Sequence, residues 1–241
     1  MVVKGNNMNS IIVRYVVLVA SIMLCDMYAR DNANIRVEIT IPAILANELK
    51  ENQRLLVRDL DPFFRSYGLT FVTATELHIT LVYIDNMPTD KYADLELALQ
   101  HAAQRIVPID DIYIQSHPIL LGQKIPFIVF PLKESKKLRK AIDIITTSLR
   151  AKNIAVKKFI NFRPHISLGY IAVHNTRNVV ENVGSSRVFD YKGTQLKVGS
   201  SGLVPIIEKV CREIPVPGDE ISADTLVVSG ARSLKYTLKK K

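Results

Sequence analysis

His165-Ile166-Ser167-Leu168-Gly169-Tyr170-Ile171 repeats His78-Ile79-Thr80-Leu81-Val82-Tyr83-Ile84 almost residue for residue. Both stretches are rich in β-branched and aromatic residues, the composition of a strand. Side chains two apart on a strand point to the same face, so His78 and Thr80 share one side while Ile79, Leu81 and Tyr83 share the other. The second copy divides in the same way, with His165 and Ser167 opposite Ile166, Leu168 and Tyr170. Each strand is expected to offer an imidazole and a hydroxyl to a common side and an aliphatic-aromatic row to the core. The small Gly169 is expected to leave room beside His165 and Ser167.

The elements around each copy repeat as well. Upstream of His78, Ile35 to Ile41 alternates apolar and polar residues as a half-buried strand. Pro42 then opens a helix carrying Ile44, Leu45, Leu49, Leu55, Leu56 and Leu60 at helical spacing, which Asp61-Pro62 is expected to end or kink. Leu69 to Val72 is a strand, and the His78 strand follows. Upstream of His165 come a strand over Pro126 to Leu132, a helix over Glu134 to Lys152, a strand over Ile154 to Ile160, and the His165 strand. The order strand, helix, strand, strand therefore occurs twice, over about 34–84 and 125–171, which implies an internal duplication and two lobes related by a pseudo-twofold. Such an axis brings equivalent strands together, so His78 and His165 should face each other across a groove. Between the copies a helix capped by Thr89 runs to Ile106, then a strand from Asp111 to Gln115. After them come a short helix over Asn175 to Val183, strands over Ser186 to Val198, a helix over Leu203 to Ile214, and an antiparallel pair at Thr225 to Val228 and Leu234 to Leu238.

Length and composition bound the rest. A chain of 241 residues, 48% of them hydrophobic, buries a sizeable core. The net charge of +9, with Arg232, Lys235, Lys239, Lys240 and Lys241 near the end of the chain, favours a polyanionic partner, nucleic acid above all, or an anionic membrane surface, with a solvated basic tail as the alternative for the terminal lysines. Cys25 and Cys211 form neither a disulfide framework nor a zinc motif. Residues 1–30 read as a leader: Tyr15 to Cys25 is almost wholly apolar, follows Lys4 and Arg14, and is too short to cross a bilayer comfortably. Export or membrane tethering is expected, with a cytosolic N-terminus as the alternative. The domain proper spans residues 34–241.

Two opposed histidines make a general acid-base pair, since near neutral pH one imidazole takes a proton while the other delivers one. Opening an RNA 2′,3′-cyclic phosphate needs both acts, and the hydroxyls of Thr80 and Ser167 suit the non-bridging phosphate oxygens where charge develops. No metal or cofactor is required. A metal site would show a carboxylate, cysteine or third histidine at ligand spacing in the motif, and a serine hydrolase a Gly-x-Ser-x-Gly elbow; neither is present. Which histidine is acid and which base stays open in a pseudo-symmetric pair. Arg163 and Lys158 are candidates for phosphate contact, with plain solvated charge as the alternative. His101, His117 and His174 lack a hydroxyl two residues on and read as surface or packing residues.

The two motifs His78-Ile79-Thr80-Leu81 and His165-Ile166-Ser167-Leu168, with Phe162-Arg163-Pro164 ahead of the second, resemble the paired His-x-[Thr/Ser]-hydrophobic signatures of the two-histidine (2H) phosphoesterase superfamily, which includes the LigT-type RNA cyclic phosphodiesterases and "2′-5′ RNA ligases". The resemblance runs from about Ile35 to Leu238. It implies a bilobal α+β fold, two antiparallel sheets around a central groove with helices outside, and catalytic roles for His78, Thr80, His165 and Ser167. It further implies metal-independent hydrolysis of 2′,3′-cyclic phosphate RNA ends or of 2′-5′-linked or cyclic oligonucleotides by a monomer. A nucleotide- or RNA-end-binding module without turnover, and a 3′-end RNA exonuclease of the same superfamily, are the alternatives. Where LigT-type enzymes often carry an arginine after the second motif, this chain has Gly169-Tyr170-Ile171.

Overall fold

The computed structural model describes residues 32–66, 68–122, 126–133, 135–157, 163–173, 186–191, 194–199, 203–218, 220–230 and 233–238. The leader, Lys158, Phe162, His174, the expected helix over 175–183 and most of the basic tail lie outside them. Twelve strands and four helices are described: β1 (Asn32–Thr40), α1 (Ala43–Ser66), β2 (Leu69–Thr73), β3 (His78–Pro88), α2 (Tyr92–Arg105), β4 (Ile109–Ile112), β5 (Ile119–Leu121), β6 (Phe127–Pro131), α3 (Lys136–Arg150), β7 (His165–Val173), β8 (Ser186–Tyr191), β9 (Thr194–Gly199), α4 (Leu203–Glu213), β10 (Ile221–Ala223), β11 (Thr225–Ser229) and β12 (Leu234–Thr237). The class is α+β.

The two antiparallel halves expected from the sequence are joined into one eight-stranded sheet of order β12-β11-β1-β3-β7-β6-β5, with β2 paired to β7. The halves meet at a single residue pair, Ile79 of β3 against Ile166 of β7. Both isoleucines are fully buried, and around them the inward residues Ile35, Val37, Ile39, Ile128 and Phe130 share one core with the apolar stripes of the helices. Among the described residues the helices pack against this inward face of the sheet. The connections cross over between halves. β2 pairs with β7 and not with its neighbours in sequence, while the segment after α3 runs to β3, where Lys157 N–H donates to the Tyr83 carbonyl at 2.9 Å.

Several elements differ from their sequence reading. The expected strand over Ile154 to Ile160 is not a strand over 154–157, the part of it that is described; there Ile154 N–H donates to the Leu149 carbonyl and Lys157 N–H to that of Tyr83. Helix α1 continues through Pro62 to Ser66, because Leu60 and Phe64, both fully buried, hold the turns on either side of the proline. Thr89 opens a short 3-10 turn instead of capping α2. Ser135 does cap α3, its Oγ accepting from Leu138 N–H at 2.9 Å. Cys211 is a buried core residue, and burial pushes its thiol up to about 12, so it is inert. No described helix is long and apolar enough to cross a membrane.

The two motif strands carry matching irregularities. Against β1, Val82 pairs with Val37 and Thr80 with Glu38, so Leu81 is left over. Against β6, Gly169 pairs with Ile128 and Ser167 with Val129, so Leu168 is left over. Each is a β-bulge three residues after the histidine, and one extra residue inverts the alternation beyond it. Ile84 and Ile171 therefore enter the core, while Tyr83 and Tyr170 turn to the partly exposed face, correcting the expectation that both tyrosines are core residues. Tyr83 lies under Lys157 Nζ at 5.1 Å, and Tyr170 meets Phe127 with ring centroids 6.1 Å apart.

Gly169 does not leave room in the groove, as the sequence suggested. It sits beneath β2, where a Cβ would come within 2.4 Å of the Val72 carbonyl oxygen and 2.6 Å of the Phe71 ring. Gly169→Ala should lower the unfolding free energy by roughly 1–3 kcal/mol through forced separation of β2 from β7; urea titration measures it, and an unchanged midpoint would contradict this packing.

Candidate active site

His78 and His165 open their strands, and both rings are held in the same way. His78 Nδ1 lies 3.2 Å from the Glu76 carbonyl oxygen, and His165 Nδ1 lies 2.8 Å from that of Arg163. A carbonyl oxygen only accepts, so Nδ1 is the donor in each ring and Nε2 carries the exchangeable position. In each copy the partner carbonyl lies two residues ahead of the histidine.

The Ile79–Ile166 pair sets the four motif side chains relative to one another. Extending an antiparallel register by one residue in each direction places His78 opposite Ser167 and Thr80 opposite His165. Since both isoleucines point into the core, all four polar side chains project from the other face. The imidazoles stand diagonally, at a spacing of roughly 7–8 Å between such positions in a regular ladder. The strands then part: β7 continues against β2 and β3 against β1.

Outward from this square the two halves of the sheet differ. From Thr80 the row of paired residues runs to Glu38 on β1, Val227 on β11 and Lys235 on β12. From Ser167 it runs to Val129 on β6 and Ile119 on β5. Beside His78 lies a cavity of about 710 Å³ lined by Arg36, Lys50, Lys235, Glu38 and Glu76 among others. Beside His165 lies one of about 580 Å³, with Ile119, Leu121, Val129 and Pro164 as apolar wall and Gln115 and Arg163 at its polar edge. Arg163 thus lines the cavity beside His165 and anchors the ring through its carbonyl. Lys158 falls outside the described residues. His101 is exposed on α2, and His117 Nδ1 donates to the Ile214 carbonyl at 2.9 Å, a packing contact to the end of α4. Among the described residues no group of three or more His, Cys, Asp or Glu is arranged to hold a metal ion.

Two residues of this site went unnoticed in the sequence. Glu38 is 3% exposed. Its Oε2 accepts from Ser229 Oγ at 3.0 Å, lies 3.6 Å from Arg36 Nε and stands 3.5 Å from His78 Nε2. Arg36 Nε in turn donates to Ser229 Oγ at 3.2 Å. Gln53, buried on α1, donates from Nε2 to the carbonyls of Leu168 at 2.7 Å and Ala74 at 2.9 Å. It thereby satisfies the bulged residue between Ser167 and Gly169. The polar alternation of β1 marked Arg36, Glu38 and Thr40 as one face, but nothing local says that this face looks onto a histidine.

No family model matches the sequence, and no curated protein does. Among solved structures the fold is similar to Usb1 of Kluyveromyces marxianus, at 11% identity and a TM-score of 0.49 over 86% of this chain and 99% of that one. It is similar also to E. coli LigT complexed with 3′-AMP, at 14% and 0.45 over 86% and 96%. A third similar structure is the MHV ns2 PDE domain, at 14% and 0.43 over 68% of this chain and 84% of that one.

Burial pushes the His78 imidazole below its ordinary value of 6.5, against the pull of the Glu38 carboxylate. The folded protein therefore takes up this proton at lower pH than the unfolded chain. The stability that neutral His78 contributes is complete above about pH 6.5 and is lost as the pH falls through the window below it. In His78→Asn, which keeps a donor for the Glu76 carbonyl, unfolding free energy should fall less steeply between about pH 7 and 5 than in the parent. Equal slopes in urea titrations at each pH would contradict the burial effect.

Proposed function

We propose that the protein is a two-histidine phosphodiesterase acting on RNA ends or oligonucleotides with a 2′,3′-cyclic phosphate or a 2′-5′ linkage. The observation that carries this reading is the square of His78, Thr80, His165 and Ser167 around the Ile79–Ile166 seam. It offers two imidazoles with matched Nδ1 anchors and two hydroxyls on one open face. One Nε2 removes the proton of the attacking water; the other returns a proton to the departing ribose oxygen. The hydroxyls donate to the non-bridging oxygens as negative charge grows on them. None of these acts needs a metal ion or a cofactor.

The flanking cavities support an oligonucleotide more than a small ester. A phosphodiester over the square extends on one side along the apolar wall formed by Ile119, Leu121 and Val129, a surface suited to a nucleoside. On the other side it passes Arg36, Lys50 and Lys235, cations suited to a further phosphate.

The test is turnover of a 2′,3′-cyclic nucleotide and of 2′-5′ oligoadenylate in EDTA. His78→Ala and His165→Ala should each lower kcat by roughly 10²- to 10⁴-fold, and Thr80→Val or Ser167→Ala by about 10² or more. The pH-rate profile should be bell-shaped, bounded by two macroscopic ionisations. Full activity in either histidine variant, or no turnover of either substrate, would refute the proposal; stepwise shortening of a long single strand would instead indicate an exonuclease. Lys50→Glu with Lys235→Glu should raise KM for an oligonucleotide several-fold more than for a cyclic mononucleotide and flatten its dependence on salt. Equal changes for both substrates would remove the polyanion from the second cavity.

A further inference from the structure

The two halves match in backbone but not in charge. Register places Glu38 beside Thr80 in the first half and Val129 beside Ser167 in the second. A carboxylate therefore stands next to one histidine, and a branched alkyl group occupies the corresponding place near the other. Glu38 is not a solvated surface acid. It is held from two sides, by Ser229 Oγ and by the Arg36 guanidinium, and its free direction is towards His78 Nε2 at 3.5 Å. A buried carboxylate without partners would be costly; here its partners also fix which way it points.

We propose that Glu38 is a positioning residue for His78: its carboxylate stands 3.5 Å from Nε2, where it accepts from that nitrogen and balances the positive charge once His78 has taken a proton. This rests on the phosphodiesterase reading of the square and assigns its two roles. The attacking water loses a proton to His78 Nε2 as its oxygen bonds to phosphorus. The bond from phosphorus to the ribose oxygen breaks, and that oxygen receives the proton carried by His165 Nε2. The imidazolium formed at His78 then faces Glu38, while Val129 provides no counter-charge in the other half. The side chain of His78 is 15% exposed and that of Glu38 4%, so their interaction is poorly screened by water. The resting His78 is pushed towards its neutral form by burial, as a proton acceptor requires. The other charges facing this ring are Arg36 on β1, Glu76 just ahead of the motif, and Lys50 of α1 and Lys235 of β12 across the cavity; His165 stands beyond the seam.

The experiment follows the ring resonances of His78 and His165 by NMR through a pH titration of the whole protein, in parallel with kcat and KM. Glu38→Gln keeps an acceptor for Ser229 and removes the charge. It should lower the His78 midpoint by about one unit, leave the His165 midpoint in place, shift the acidic limb of the pH-rate profile the same way, and reduce kcat with KM changed less than about twofold. Ser229→Ala, which loosens Glu38 without discharging it, should give a smaller shift in the same direction and carries the readout if the first variant does not fold. An unmoved His78 midpoint in both variants would overturn the proposal even in an active enzyme. So would a raised KM at full kcat, which would make Glu38 a substrate contact. A shifted midpoint in a protein that cleaves no phosphodiester would overturn the catalytic reading of the square and leave the Glu38–His78 pairing standing.

Discussion

Ile79 and Ile166 meet at the one residue pair through which the two halves of the central sheet join, and both are completely buried. Full burial of two such side chains contributes about 1.5–3 kcal/mol each, a modest share of what holds a domain of this size together. Its geometric consequence is larger. Once both isoleucines face the helices, the residues on either side of them must face the opposite way, and those residues are two histidines, a threonine and a serine. Apolar burial, which has no chemistry of its own, thereby sets the relative position of every polar group in the square.

The bulges make this arrangement local. Leu81 and Leu168 each add one residue to their strand, so the face that begins with histidine and threonine or serine ends after that pair and resumes with a tyrosine. The carbonyl of Leu168 is satisfied from outside the ladder, by Gln53 Nε2 and by Ala74 N–H at 2.9 Å. A bulge whose backbone groups are held in this manner is part of the architecture and not a loose spot in it. Gly169 follows at once, and the approach of Val72 and Phe71 to its Cα leaves no space for a side chain.

Matching motif strands do not compel matching electrostatics. Backbone pairing repeats because it depends on strand direction and on which residues are apolar. The side chains facing the groove are under no such constraint, and the two rows diverge from the first neighbour outward. Glu38 and Lys235 extend one row, Val129 and Ile119 the other.

The repeat itself, the strand character of both copies, the sharing of a face by His78 with Thr80 and by His165 with Ser167, and the helix that precedes each copy were all determined by the sequence. These features depend on spacings of two to four residues, and such spacings hold wherever the segment ends up in space. The orientation of Tyr83 and Tyr170, the role of Gly169, the persistence of α1 through Pro62 and the meeting of Glu38 with His78 were decided only by the tertiary structure. Each of these turns on which residue of a distant segment lies opposite. A bulge is invisible in its own strand because it exists only relative to a partner. A proline is tolerated once Phe64 beyond it is buried, and a glutamate in an alternating strand becomes part of a site only when the register against β3 brings it beside an imidazole. Local periodicity sets the faces of the elements; long-range packing sets what each face meets.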